Sequence, residues 1–182
     1  TNAAVDEISR RMQYNSIFAV STIHSFLWEL IKNYQSDIKE WLIESLSSSV
    51  EELNSKKNNA RNEASARKTQ DDIDKMKERL SKIKAVNRFS YSPDGDNLGY
   101  NSLNHGEVVK MGCCFIQNES IMQKILISRF PIILIDESQD TKKELVDALN
   151  SVIVNHPAEF IVGMFGDAMQ RIYFDGKENL AE

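Results

Sequence analysis

Glycine and proline are missing from the first 92 residues of this 182-residue chain; all seven glycines and all three prolines (Pro93, Pro131, Pro157) come later. A stretch that long without a backbone breaker excludes a turn-rich β architecture there and favours helix. Cysteine is scarce too. The two present, Cys113 and Cys114, are neighbours, which excludes a disulfide framework and leaves no second pair for a metal site. They read as reduced core residues of a cytoplasmic protein. No apolar run is long enough to span a bilayer and no signal peptide is visible, so no membrane contact is expected. Basic excess is also lacking. The formal net charge is -5, so any contact with nucleic acid must be local. What the chain does have is 41% hydrophobic residues, enough for a core in one domain or one domain plus an insertion.

The most informative stretch is residues 132–140, IILIDESQD. Ile132 to Ile135 form an apolar run suited to a strand buried on both faces, as in a parallel sheet. The run ends at adjacent carboxylates, Asp136 and Glu137. Open α/β sheets bind ligands at the carboxyl ends of their strands. A hard cation such as Mg²⁺ wants oxygen ligands there, and a water attacking a phosphate wants a carboxylate nearby. An acidic pair by itself also suits a plain charged turn after a strand.

The first half reads as helices with one short exception. Residues 1–14 suggest a helix entered through Thr1 or Asn2, with Ala4, Ile8 and Met12 at helical spacing. Ser16 to Thr22 is β-branched and aromatic and suits a strand. His24 to Tyr34 reads as a helix with Phe26, Leu27, Leu30 and Ile31 inward. Asp37 to Leu53 continues helical, with Ile38, Trp41, Leu42 and Leu46 on one face. Residues 54–72 contain no Leu, Ile, Val, Met or aromatic but carry Lys56, Lys57, Arg61, Arg67 and Lys68. Such a segment buries no face. A solvated helix or helical-hairpin tip is the better reading, ahead of phosphate contact. Ile73, Met76, Leu80 and Ile83 then form a seam for packing on a neighbouring helix.

Residues 91–104 form a polar, glycine-rich loop. Asn104 and Glu107 have the spacing of an N-cap and its partner, opening a helix that carries Val108, Val109, Met111 and Phe115. Another helix is expected around Glu119–Ser128. After the acidic turn, Thr141 and Glu144 fit a capping box. The helix behind it buries Leu145, Leu149 and Val152 and stops before Pro157. Phe160 to Phe165 is a second buried strand, running into GDAMQRIY at 166–173. Two strands joined by one helix make a βαβ unit, hence a parallel sheet. That topology brings Asp136, Glu137, Gln139 and Asp140 to the same rim as Asp167 and Gln170.

At this point a resemblance is carried by four stretches in order. IILIDESQD resembles motif II, the Walker B element, of superfamily-one helicases of the UvrD/Rep type. GDAMQRIY resembles their motif III, VSTIHSF (20–26) motif Ib, and TNAAVDEI at the start motif Ia. The resemblance implies an α/β fold: part of a P-loop NTPase (RecA-like) parallel sheet at 1–30 and 116–182, with an inserted, mostly helical subdomain at 31–115. It implies ATP and Mg²⁺ as cofactors. Asp136 would hold the metal directly or through water. Glu137 would orient or deprotonate the attacking water, and Gln170 would sense the γ-phosphate. Gln139 and Asp140 would tie the acidic strand end to neighbouring motifs. Asp140 and Asp167 suit a turn role equally well. Thr1, Asn2, Thr22, His24, Ser25 and Tyr173 match positions near single-stranded DNA or a DNA junction. Trp28 and Trp41 read as core.

Two departures stand out. No G-x-x-x-x-G-K-[ST] string occurs anywhere, so the chain reads as a fragment that does not hydrolyse ATP alone. After Tyr173 the sequence is Phe174-Asp175-Gly176-Lys177, where many family members carry an aromatic and then Arg-Gly. The expected parent is an ATP-driven DNA helicase or translocase. The second reading is a UvrD-like NTPase that serves a partner nuclease or a defence complex without processive unwinding. The third, a helical interaction module, leaves Asp136, Glu137 and Gln170 unexplained.

Overall fold

The computed structural model describes residues 2–59, 63–93, 95, 97 and 99–167. By contact the chain divides into two compact units, Thr1–Leu30 with Gly106–Glu182, and Ile31–His105.

In the first unit α1 (Asn2–Arg11) is a solvated helix. Arg10 and Arg11 both reach back to the Glu7 carboxylate at 2.5 and 2.7 Å. Gln13 and Tyr14 turn left-handed, at φ 53° and 52°. The Tyr14 N–H then closes on the Ser9 carbonyl at 2.9 Å, a Schellman-type end. The expected inward stripe is not seen: α1 buries no residue, and Met12 is exposed. Nor is the strand expected at 16–22 formed. The segment is loop, with Ile17 82% exposed. β-branched side chains favour a strand only where a neighbour supplies a ladder, and among the described residues this stretch has none.

α2 (Ile23–Ile31) follows, with Leu27, Leu30 and Ile31 buried and the Phe26 ring edge-on to Phe130 at 5.4 Å. α5 (His105–Asn118) buries Val108, Val109, Met111, Cys113, Phe115 and Ile116. Its Gly112 is a contact point. A Cβ there would lie 3.0 Å from the Leu27 side chain. α5 runs unbroken through residue 115, and by contact the helical unit spans Ile31–His105. α6 (Ser120–Arg129) leads into β1 (Ile132–Ile135), α7 (Lys143–Asn155) and β2 (Ile161–Met164).

β1 and β2 pair in parallel, Ile132 opposite Ile161 and Ile135 opposite Met164. The α7 crossover is amphipathic, with Leu145, Val146, Leu149 and Val152 almost fully buried. Each such side chain contributes about 1.5–3 kcal/mol on burial. Two expectations fail in this unit. Thr141 does not cap α7. Lys142 holds the cap position without a side-chain bond, and Thr141, one residue too early, is buried. The strands are also not covered on both faces. Ile135 and Phe160 are buried, whereas Ile132, Leu134 and Ile161 are 59%, 62% and 61% exposed.

The second unit is a helical hairpin with a loop. α3 (Gln35–Asn58) contributes Ile38, Leu42, Leu46 and Val50; α4 (Glu63–Ile83) contributes Ile73 and Ile83, with Met76 and Leu80 half-buried. The stretch lacking large apolar residues lies where the two helices meet their connection, as a hairpin tip does. Lys57 Nζ reaches Gln70 Oε1 across it at 2.6 Å. Beyond α4 the chain returns along the hairpin. The Phe89 N–H donates to Gln35 Oε1 at 2.6 Å, and Ser90 bridges to Ser102. The polar loop is tied by the Asn97 side chain, which bonds both the N–H and the carbonyl of Ser92.

Candidate functional site

The acidic turn is held in a conformation that the chain does not adopt cheaply. Asp136 and Glu137 follow β1 directly and are exposed. Glu137 is left-handed, at φ 50° and ψ 44°. For a non-glycine residue that costs about 1–3 kcal/mol and persists only where surrounding bonds enforce it. Several do. The Glu137 N–H donates to Asp136 Oδ1 at 3.0 Å. Its carbonyl accepts the Asp140 N–H at 3.0 Å, and the Ser138 carbonyl accepts the Thr141 N–H at 3.1 Å, closing a 3-10 turn over Ser138–Asp140.

The same turn is fastened to the end of β2. The Phe165 N–H donates to the Ile135 carbonyl at 2.8 Å, and the Ser138 N–H donates to the Phe165 carbonyl at 2.9 Å. The parallel ladder therefore continues past both strands. Gln139 completes the link. Its Oε1 accepts the Asp167 N–H at 3.1 Å, while its Nε2 donates to Glu137 Oε2. A backbone N–H offers only a donor and a carboxylate only an acceptor, so these two partners fix which way the amide faces. Gln139 is buried, with 4% of its surface exposed. It holds the Glu137 carboxylate against the segment that follows β2.

Gly166 makes this possible. A Cβ there would lie 2.2 Å from Gln139 Oε1, 2.6 Å from Ser138 Oγ and 3.0 Å from the Ser138 backbone nitrogen. The close approach needs a residue without a side chain. Ser138 and Gly166 were not singled out from the sequence. The available signal was a glycine placed directly after the apolar run FIVGMF. Among the described residues, Ser138 Oγ is buried without a hydrogen-bond partner.

The other expected positions divide by location. Thr22 and Ser25 come together at the start of α2. Thr22 Oγ1 accepts the Ser25 N–H at 3.2 Å and lies 2.9 Å from Ser25 Oγ, which is an N-cap. His24 sits half-buried in the same first turn, and Asn2 is exposed at the start of α1. Among the described residues, Thr22 and Ser25 bond to each other and not to the acidic turn. Thr1, Gln170 and Tyr173 lie outside the described residues.

Chemically, the turn offers two solvent-facing carboxylates at the carboxyl end of a parallel strand. Among the described residues no group of three or more His, Cys, Asp and Glu could cage a metal. The donor set fits an ion that needs no cage. Mg²⁺ keeps several waters and takes one or two carboxylates plus substrate phosphates. Cys113 plays no part in such chemistry. Burial, with smaller contributions from Glu144 and Cys114, pushes its thiol up to about 12.

The family described as the UvrD/REP helicase N-terminal domain matches residues 42–174. The chain is 23% identical to Gabija protein GajB of Bacillus cereus (strain HuB5-5), over 97% of this chain and 35% of that protein. It thus spans about a third of the length of that relative. No solved structure matches the chain. Among the described residues, no helix is long and apolar enough to cross a membrane.

Proposed function

Because the chain belongs to the UvrD/REP helicase N-terminal domain family, we propose that its parent protein is an ATP-dependent DNA helicase or translocase. In this reading β1 and β2 are neighbouring strands of a RecA-like sheet, and residues 31–115 with α3 and α4 form the inserted subdomain. The observation that carries it is the Gln139 bridge, which couples the Glu137 carboxylate to the backbone of Asp167 across the two strand ends.

Bound Mg²⁺-ATP supplies an activated γ-phosphoryl group and a cation that neutralises its charge. Asp136 presents a hard oxygen at the rim to hold the ion. Glu137 accepts a proton from the attacking water. Its carboxylate is pre-oriented by the Gln139 amide, so little reorganisation is needed when the water arrives. Gln170, three residues beyond Asp167 in sequence, takes the role of γ-phosphate sensor in this reading. Tyr173 meets single-stranded DNA or a junction together with Thr1, Asn2, Thr22, His24 and Ser25. Thr22 and Ser25 cap α2 in doing so, and that helix start offers N–H groups to a DNA phosphate. The protein acts in the cytoplasm.

Glu137→Gln in the full-length parent tests the reading. The change removes the base and keeps size and hydrogen bonding, so DNA-stimulated ATP turnover should fall about 10²–10⁴-fold, with nucleotide binding retained. Wild-type turnover would refute the assignment. The second reading is an NTPase that serves a partner nuclease or a defence complex without processive unwinding. An active ATPase that cannot displace a strand from a duplex would favour it.

A further inference from the structure

The acidic chain carries a concentrated patch of opposite sign. Residues 75–88, KMKERLSKIKAVNR, hold Lys75, Lys77, Arg79, Lys82, Lys84 and Arg88 against the single carboxylate of Glu78. In a chain of net charge -5 this is a local excess of the kind a polyanion needs. Cations in the last turn of a helix also complement its dipole. That accounts for Lys82 at the end of α4, but not for Arg88, five residues past the last helical residue Ile83.

Two of these cations, Lys82 and Arg88, border a cleft of about 460 Å³ within the helical unit, lined also by Ala85, Asn87, Tyr100 and Asn101. Its features differ in kind. The Tyr100 ring is 48% exposed. Lys82 Nζ lies 5.8 Å from the ring centroid and 2.6 Å from Glu78 Oε1. The wall bearing the ring is fixed to α4. Arg79 donates to the carbonyls of Tyr100 and Ser102 at 3.4 and 3.0 Å. Arg79 is thus engaged in positioning, whereas Arg88 is exposed at the cleft and Lys82 faces it from beside Tyr100 while paired with Glu78. The volume falls in the usual range of small-ligand sites, roughly 300–1,000 Å³.

We propose that this cleft holds one nucleotide of single-stranded DNA, its base against Tyr100 and its phosphates on Lys82 and Arg88. An exposed ring beside cations is the combination that binds unpaired bases, since only a single strand offers its base faces for stacking. The Asn87 and Asn101 amides supply donors and acceptors for sugar and base edges. Glu78 pairs with Lys82 alone, so the Arg88 charge is left for a phosphate. The inference rests on the proposed DNA-acting parent only for choosing DNA over RNA. The site lies on residues 82–88 and 100–101, apart in sequence from motifs Ia, Ib, II and III.

The experiment uses the 182-residue chain and a fluorescein-labelled oligothymidylate of about 20 nucleotides, longer than the roughly 4–16 that one single-strand module covers. Anisotropy titrations at several salt concentrations give Kd and the salt slope. Lys82→Gln with Arg88→Gln should weaken binding at least tenfold and reduce the log–log slope by about 1.4, at ~0.7 per single-strand phosphate contact. Tyr100→Ala should weaken binding roughly 5- to 150-fold, the range for one stacked base, and Tyr100→Phe should restore it. Lys56→Gln with Lys57→Gln, on the solvated hairpin tip, should change little. A 5-iodouracil oligonucleotide should photo-cross-link to Tyr100, a readout that does not depend on any variant folding. Wild-type Kd and slope in the Lys82/Arg88 variant would overturn the proposal. So would a cross-link elsewhere, no binding by the wild-type chain, or equal binding of a blunt duplex. None of these outcomes bears on ATP turnover in the Glu137→Gln parent, so the two readings fail separately.

Discussion

Gly166→Ala is the sharpest test of how the acidic turn is built. The added Cβ would stand 2.2 Å from Gln139 Oε1 and 3.0 Å from the Ser138 backbone nitrogen. Neither neighbour gives way easily. The nitrogen is backbone, held by its bond to the Phe165 carbonyl at 2.9 Å, and Gln139 is buried. Relief requires moving the turn or pushing the Gln139 amide off the Asp167 N–H. Overpacking of this kind costs about 1–3 kcal/mol. In a domain of this size 1 kcal/mol shifts Tm by about 2–4 °C, so circular-dichroism melts of the variant should fall by about 2–12 °C. Gly163→Ala is the matched control. Its Cβ would meet Leu134 Cδ2 at 2.8 Å, a short contact on paper. That atom is the far end of a side chain 62% exposed, free to swing away. Gly163→Ala should therefore change stability by no more than about 0.5 kcal/mol, as exposed substitutions do. In the parent, Gly166→Ala should also lower the ATPase rate with nucleotide affinity retained, because Gln139 no longer steadies Glu137. An unchanged Tm for Gly166→Ala, or a larger loss for Gly163→Ala, would refute this account of the turn.

Thr22→Ala removes the cap of α2 and should cost about 1 kcal/mol in thermal melting, with Thr22→Asp or Thr22→Ser recovering most of it; no loss would leave the hydroxyl to a DNA role alone. Native protein should react with a thiol reagent at Cys114 and not at Cys113, whose buried thiol is pushed up to about 12, and mass spectrometry of the labelled peptide reads the difference. The sign for stability follows from the same shift. Between the ordinary thiol value of 9.0 and about 12 the unfolded chain loses the Cys113 proton and the folded one keeps it, so this group's contribution falls as pH rises through that window. A Cys113→Ser variant with an identical alkaline melting profile would remove that assignment.

Local patterns in the sequence carried the helices well. The seam Ile73–Ile83 and the inward face Ile38, Leu42, Leu46 both rest on side chains a few positions apart; the face is buried as its spacing requires, and the seam is buried at Ile73 and Ile83 and half-buried at Met76 and Leu80. The βαβ unit was equally legible, because an apolar strand, an amphipathic helix and a second apolar strand admit few arrangements. Ser16 to Thr22 failed for the opposite reason. A strand exists only by pairing, and the chemistry of one segment says nothing about whether a partner lies beside it. The same limit governs the sheet faces. Ile132 and Leu134 are as apolar as a two-sided buried strand demands, yet cover comes from other elements, and those side chains stand open.

The site shows a finer version of this division. Asp136 and Glu137 announced themselves as residue types at a strand end, and the expected role of Gln139 as a tie has a visible geometry in its two bonds. What no local pattern contained is why Gly166 is glycine. Its constraint comes from Ser138 and Gln139, almost 30 residues earlier, brought within contact by the parallel register. The left-handed backbone of Glu137 belongs to the same set, since glutamate has no preference for that region and is kept there by bonds from both sides. The chemistry of the turn is therefore written in adjacent residues. Its rigidity is written in the pairing of two strand ends, and any change in the register of β1 against β2 would release the carboxylate while leaving every motif letter in place.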